Sequence, residues 1–340
     1  MLDICLVGFG AIGALYAFAL ERSPEVRLTV VCRSNYDTVR KNGLIIESDK
    51  LGTHPPWNPY RVVRSVEEAA DRPYSFIICA TKCLPDVRPT SAILGPLLKA
   101  LPLSPDTAIV LLQNGVGIEE DVQNAIANVG ATNPVLSGCA WVDATTVDEG
   151  RRVVQHGNER LVLGYHRPAC GHAPTDSRGP DALNKLCELL RAAGASAEAA
   201  DDVDAARWRK VLWNASFSTI CTLTRARVGD VLALPEGREE LKAIMLEVLA
   251  VAHEVVSKEG SAILPDSVAD AIIENENPLS VFKPSMLVDL EAGRPMEVEA
   301  IVGGIVSKAR AHGKSTPRLE MIYAALKVIQ RGLISARKPI

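Results

Sequence analysis

Apolar positions fall in short, nearly unbroken runs through residues 1–200 and in a longer helical rhythm after that. Residues 2–7 predict a short buried strand, Ala14 to Glu21 a helix, and Arg27 to Cys32 a second strand. Similar runs over Tyr74 to Ala80, Ala108 to Leu112, Pro134 to Gly138 and Arg152 to Gly164 predict further strands, the last of them read as antiparallel. Ala195 to Ala200 predicts a closing one. Helices are expected over Val87 to Leu101, Ile118 to Asn128 and residues 182–193, and the stretch 167–181 is rich enough in breakers to read as a surface loop. Alternating strands and helices are the pattern of a doubly wound sheet. From Asp201 onward strand signals largely vanish, and helical periodicity covers 203–224, 236–259, 265–275, 297–312 and 316–332. The expected organisation is an α/β N-terminal domain over 1–200 and an all-α C-terminal domain over 201–340.

The turn after the first strand carries the first chemical signal. Gly8-Phe9-Gly10-Ala11-Ile12-Gly13 is G-x-G-x-x-G set between strand and helix, the fingerprint of a Rossmann-like dinucleotide-binding unit. Gly8 permits the tight turn, Gly10 lets a pyrophosphate approach the backbone, and Gly13 lets helix and strand pack closely. The helix N-terminus then offers unpaired N–H groups to the phosphates. A site selective for NAD(H) places an acid at the end of the second strand to accept from the ribose 2′-hydroxyl. This chain has Cys32-Arg33-Ser34-Asn35 there and no acid. Arg33 suits a 2′-phosphate, with the Ser34 hydroxyl as a further donor, so NADPH is the expected cofactor. The plainer reading of Arg33 is a solvated turn residue. Lys82 and Asn114 follow the strands ending near Ala80 and Leu112, where doubly wound sheets bind their ligands.

Composition narrows the classes. Hydrophobic residues make up 47% of the 340 positions, enough for sizeable cores, and the formal charge of −4 gives no basic footprint for nucleic acid. The eight cysteines are scattered without a C-x-x-C pair, which suits buried thiols in a reducing compartment. Cys170-Gly171-His172 has no second ligand pair, so no metal is expected. The N-terminus carries no signal-like pattern and no apolar run has membrane-spanning length. A cytoplasmic enzyme acting on a small molecule is the expectation, with a homodimer left open.

Two clusters stand out in the helical half. Lys210 and Asn214 lie four apart, hence on one helix face, among Val211, Leu212, Trp213 and Ala215. Taken alone, Lys210 suits a surface lysine whose stem covers the core. In the stretch from Lys283 to Glu297, Pro284 and Pro295 punctuate a short helix. Ser285 sits at its start, as an N-cap would, and Glu297 opens the next helix, as a first-turn acid would.

Together these blocks resemble the ketopantoate reductase family over nearly the whole chain. The resemblance is carried by Gly8-Phe-Gly-Ala-Ile-Gly13, Ala80-Thr-Lys82, Leu112-Gln-Asn114-Gly-Val-Gly117, Lys210-x-x-x-Asn214, Pro284-Ser-Met-Leu-Val-Asp-Leu-Glu-Ala-Gly-Arg-Pro295 and Glu297. It implies a Rossmann domain followed by a helical domain, and NADPH-dependent reduction of a 2-oxo acid, ketopantoate (2-dehydropantoate) first, to pantoate. By this resemblance Lys210 is the proton donor, and Glu297 orients the substrate and contacts the cofactor region. Asn114 lies between nicotinamide and substrate, and Asn214 and Ser285 bind the substrate's polar groups. Lys82 lies by the cofactor, and Ala144 gives a backbone contact near the nicotinamide.

The chain departs from the family pattern at two substrate-side positions. A second asparagine, eight residues after the catalytic lysine and followed by proline, is replaced by Ser218-Thr219, and a typical Asn-Gly by Val228-Gly229. Ser218 remains a shorter donor to the substrate. The departures leave two other readings open: a relative acting on a different oxo acid or secondary metabolite, and an NADP-sensing regulatory protein without turnover. A sensor has no need of Lys210, Asn214, Ser285 and Glu297 together. The segment 50–62 has no assigned role.

Overall fold

The computed structural model describes residues 1–99, 103–166 and 176–336. The Cys170–His172 stretch, the end of the helix expected to reach Leu101, and the C-terminal residues 337–340 lie outside them. The described chain divides into two compact units. The first comprises residues 1–82, 89–113 and 119–203. The second comprises residues 83–88, 114–118 and 204–340.

The first unit is built on one mixed sheet. Its strands are β1 (Leu2–Val7), β2 (Val26–Val31), β3 (Leu44–Ser48), β4 (Gly52–Trp57), β5 (Arg61–Val63), β6 (Phe76–Cys79), β7 (Ala108–Leu111), β8 (Val135–Val147), β9 (Arg152–Tyr165) and β10 (Ala197–Ala199). Its helices are α1 (Ala11–Glu21), α2 (Tyr36–Asn42), α3 (Val66–Ala69), α4 (Thr90–Lys99), α5 (Ile118–Asn128) and α6 (Arg178–Ala192). The order β5-β2-β1-β6-β7-β8 is parallel throughout, the doubly wound arrangement expected of a dinucleotide-binding sheet. The runs Ile4–Val7, Phe76–Cys79 and Ala108–Leu111 are buried at every position, as strands covered on both faces must be.

β8 and β9 then form a long antiparallel hairpin. β3 pairs parallel to the first part of β9, β10 pairs with its last part, and β4 folds back on β3. This extension packs over α1, whose residues Gly13–Leu20 are all buried, so the helix is apolar all round instead of amphipathic. The segment 50–62 takes its place here. Trp57 Nε1 donates to Glu21 Oε2 at 2.9 Å, and the backbone N–H groups of Leu28 and Tyr60 donate to Glu21 Oε1. Trp57 also lies against Phe9 and Phe18, with ring centroids 6.0 and 5.4 Å apart. Burial raises the Glu21 carboxyl above the usual range, while those three donors work in the opposite direction.

The second unit is helical among its described residues. Its helices are α7 (Val203–Trp213), α8 (Thr219–Thr224), α9 (Val228–Leu232), α10 (Pro235–Val255), α11 (Lys258–Ala262), α12 (Ser267–Glu274), α13 (Ser285–Glu291), α14 (Gly304–Ala311) and α15 (Pro317–Ala336). α10 starts with proline at its first turn, where no N–H is missed, and buries Leu241, Ile244, Met245, Val248, Leu249 and Ala252 at helical spacing. Two π turns interrupt the helices. One, Asn214–Ser218, joins α7 to α8; the other, Glu299–Gly303, leads into α14; the two pack against each other. No described helix is long and apolar enough to cross a membrane.

Seven cysteines are free and buried among the described residues. Burial pushes the thiols of Cys5, Cys32 and Cys221 up to about 12, which leaves them protonated and unreactive near neutral pH.

Candidate active site

In the first unit, the fingerprint turn has the backbone its glycines predict. Gly8 has φ +103°, and a Cβ there would lie 2.6 Å from the Thr81 nitrogen. A Cβ on Gly13 would lie 2.1 Å from the Gly8 carbonyl oxygen, so helix and turn meet there without room for a side chain. Gly10 is different: nothing beyond its own chain neighbours lies within 4 Å of where its Cβ would be. It is the N-cap of α1 and supplies no side-chain cap to the first-turn N–H groups of the helix. That is the arrangement a pyrophosphate needs. Asn35 Nδ2 donates to the Phe9 carbonyl at 2.9 Å, tying the end of β2 to the turn. Arg33 and Ser34 are exposed, and no acid stands at either position.

Sequence reading passed over Arg64. β5 runs parallel to β2 with Val63 opposite Val31, and the Cys32 N–H donates to the Val63 carbonyl at 2.9 Å. Arg64 therefore leaves the sheet beside Cys32-Arg33. Its guanidinium lies 4.0 Å from the Tyr36 ring centroid and pairs with Asp37 at 2.6 Å. Elsewhere in this unit, Lys82 is exposed, and Ala144 lies on β8 opposite Gln155. Gln113 Nε2 donates to the Thr81 carbonyl at 2.9 Å, holding the ends of β6 and β7 together.

In the second unit the geometry centres on Glu297, a carboxylate only 8% exposed. Its Oε1 accepts from the Cys83 backbone N–H at 2.9 Å, and its Oε2 accepts from Asn114 Nδ2 at 3.1 Å. The fold thus brings together two residues 183 positions apart that the sequence singled out separately. Asn114 is held in turn by its neighbours. Val116 N–H donates to the Ala300 carbonyl at 3.1 Å, and Arg207, 3% exposed, donates through Nη1 to the Gly115 carbonyl at 2.9 Å. Arg207 lies one helical turn before Lys210 on α7, so one helix carries both Lys210 and the anchor of the Asn114 turn. Lys210 is half-buried, and Asn214, also half-buried, opens the π turn. π turns of this kind recur at functional sites because the extra residue re-aims the side chains around it.

Four features were not anticipated. Ser285 is the first residue of α13 and exposed; Pro284 occupies the N-cap, and Ser285 makes no side-chain cap. Ser218 is 2% exposed inside the π turn, and Val228 is fully buried, its N–H donating to the Phe282 carbonyl at 3.1 Å. Gly115 has φ +113°, and a Cβ there would lie 2.4 Å from the Ala300 carbonyl oxygen. Gly115→Ala is therefore expected to destabilise the protein by more than about 1 kcal/mol, read as a lowered urea midpoint. An unchanged midpoint would show that this turn relaxes freely.

The first unit thus carries a glycine-rich turn between strand and helix with no acid at the end of β2, and the second a buried carboxylate braced by an asparagine, features that suit a nicotinamide-dependent oxidoreductase. Comparison with known proteins agrees. The family model described as "Ketopantoate reductase PanE/ApbA" matches residues 4–168, and "Ketopantoate reductase PanE/ApbA C terminal" matches residues 202–330. The chain is 31% identical to a 2-dehydropantoate 2-reductase of Mycobacterium tuberculosis, over 97% of this chain and 98% of the relative. It is 29% identical to an uncharacterized protein of Saccharomyces cerevisiae, over 98% of this chain and 95% of the relative. The crystal structure of a 2-dehydropantoate 2-reductase from Methylococcus capsulatus superposes with a TM-score of 0.78 at 31% identity, covering 99% of each chain. The chain belongs to the ketopantoate reductase family and is an NADP(H)-dependent oxidoreductase acting on CH–OH groups.

Proposed function

We propose that the protein reduces 2-dehydropantoate to pantoate with NADPH, in the cytoplasm, using Lys210 as proton donor. The observation that carries this reading is the buried Glu297 carboxylate held by Asn114 and the Cys83 N–H, in the same unit as Lys210, Asn214 and Ser285. The residues around the fingerprint fit the cofactor. Gly8, Phe9, Gly10, Ala11, Ile12 and Gly13 would hold the pyrophosphate, and Arg33 and Ser34 the 2′-phosphate. Lys82 and the Ala144 backbone would bind nearer the nicotinamide. When bound, NADPH supplies the hydride.

The remaining chemistry belongs to the chain. Hydride addition at C2 of the oxo acid turns its carbonyl oxygen into an alkoxide. The Lys210 ammonium gives that oxygen a proton, completing the hydroxy acid, and the lysine regains a proton from solvent. Glu297 and Asn114 orient the reacting carbonyl, and Asn214 and Ser285 hold the polar groups of the acid. The test is NADPH oxidation against a panel of 2-oxo acids. Turnover of ketopantoate supports the reading, and turnover of none of the panel contradicts it.

Two further expectations follow. Arg33→Ala should narrow the preference for NADPH over NADH by about ten- to a hundred-fold, since a charge-assisted contact contributes about 1.5–3 kcal/mol. Equal dissociation constants for both cofactors in the unmutated protein would remove the basis for this role. Substrate choice should be broad on the distal side. Ser218 and Val228 stand where the family carries asparagines, and each lost neutral hydrogen bond is worth about 0.5–1.5 kcal/mol. Ketopantoate and 2-oxoisovalerate, which lacks the distal hydroxyl, should therefore differ little in kcat/KM. A preference near 10⁴-fold would mean that other groups bind that hydroxyl.

A further inference from the structure

The last helix presents a polar face to the ground beneath Glu297. Tyr323, Lys327 and Gln330 are spaced by four and three along α15 and so lie on one side of it. Gln330 is 1% exposed. Its Oε1 accepts from the Met296 N–H at 2.8 Å, and its Nε2 donates to the Met296 carbonyl at 3.0 Å. One side-chain amide thus satisfies both backbone groups of the residue preceding Glu297. The same Nε2 lies 3.3 Å from Asp86 Oδ2. Lys327 Nζ lies 3.4 Å from that oxygen and is hydrogen-bonded to Glu299 Oε1, and the Tyr323 hydroxyl lies 2.9 Å from both Glu299 oxygens. Asp86 is three residues beyond Cys83, whose N–H donates to Glu297. All of these residues belong to the second unit.

We propose that Gln330, with Lys327 linking Asp86 to Glu299, is a positioning residue for Glu297. A carboxylate is only as well aimed as the groups that carry and bind it. The backbone carrying Glu297 is fixed at Met296 by Gln330. The strap of residues 83–88, which delivers the Cys83 donor, is fixed at Asp86 by Gln330 and Lys327. Both supports converge on one face of α15. The position calls for an amide: it must accept from one backbone group and donate to the other, which neither a carboxylate nor a thioether of the same length does. Neither Gln330 nor Lys327 is assigned a contact with substrate or cofactor, so their influence on the reaction runs through Glu297.

The inference rests on Glu297 serving the reduction proposed above. Its test uses Lys327→Met, Lys327→Arg and Gln330→Met in the full-length protein. Each is measured for kcat, NADPH affinity, Tm and hydrogen exchange at the Cys83 amide. Lys327→Met should lower kcat about tenfold, because a misplacement of about 1 Å can cost 10²-fold. NADPH affinity and Tm should stay nearly unchanged, and Lys327→Arg should restore most of the rate. Gln330→Met should lower kcat further. In both Met variants the Cys83 amide should exchange about tenfold faster as the strap loosens. If Gln330→Met does not fold, the Lys327 pair decides.

Unchanged kcat and unchanged Cys83 exchange in the variants would overturn the proposal. So would a rate that falls only in step with Tm and is not restored by arginine. If the unmutated enzyme reduces no 2-oxo acid, the functional reading fails by itself. Cys83 exchange still decides whether α15 holds the strap.

Discussion

Lys210→Ala should lower kcat for the best 2-oxo acid by roughly 10²–10⁴, the usual contribution of a positioned general acid, while NADPH binding changes little. The lysine is half-buried on α7, and its helix also carries Arg207, which anchors the Asn114 turn through the Gly115 carbonyl. Its removal leaves that anchor in place, so the loss should fall on the proton transfer and not on the arrangement around Glu297. A fall in kcat with KM for NADPH preserved is the signature of an interaction made in the transition state. If Lys210→Ala turns over at the original rate, Lys210 is the surface lysine that its sequence context also allowed.

The second large effect is expected at the fingerprint. Gly13→Ala places a methyl group where the Gly8 carbonyl oxygen would lie 2.1 Å away, and the Ala80 methyl 3.2 Å away. The obstacle is backbone and cannot rotate aside. Forcing extra volume into such a contact typically costs about 1–3 kcal/mol. The first turn of α1 and the Gly8 peptide must separate, and these are the groups proposed to hold the pyrophosphate. NADPH affinity should fall on the order of 10- to 100-fold, measured by titration of nucleotide fluorescence. Gly10→Ala is the matched comparison, because no atom beyond its own chain neighbours lies within 4 Å of its Cβ. Gly10→Ala should leave Tm unchanged and impair binding only through the nucleotide itself. If Gly13→Ala binds NADPH as tightly as the unmutated protein, the turn is not the phosphate site.

The fingerprint was legible because its signal is local: a strand, a turn and a helix within twenty residues, each apolar where it must be buried. The helical half was legible for the same reason, since helical spacing repeats along the chain. What was not legible is long-range. β3 at Leu44–Ser48 escaped notice because its partner is the first part of β9, more than a hundred residues later. β8 was expected only to Gly138, yet it runs to Val147, its last half exposed and polar along one side. The helix expected from Val87 begins at Thr90. The residues before it form the strap from Cys83 to Arg88, closed by a Leu84–Arg88 bridge and grouped with the helical unit.

The proposed site divides in the same way. Lys210, Asn214, Asn114 and Glu297 were visible through their motifs. Arg207 and Gln330 were not, because a polar residue within a helix looks like a solvated one until its partner is known. Both are almost fully buried, and each satisfies backbone groups far away in sequence. Val228 was read as a substrate-side substitution. Its complete burial and its hydrogen bond to the Phe282 carbonyl give it a packing role as well.

The most direct measurement is the steady-state rate of NADPH oxidation with ketopantoate as sole substrate, the product identified as pantoate and Lys210→Ala run alongside. Stoichiometric pantoate formation, faster with NADPH than with NADH and lowered at least about 10²-fold by Lys210→Ala, is the expected result. NADPH bound by the unmutated protein without turnover of ketopantoate or any other 2-oxo acid would contradict the assignment and leave a nucleotide-sensing protein in its place.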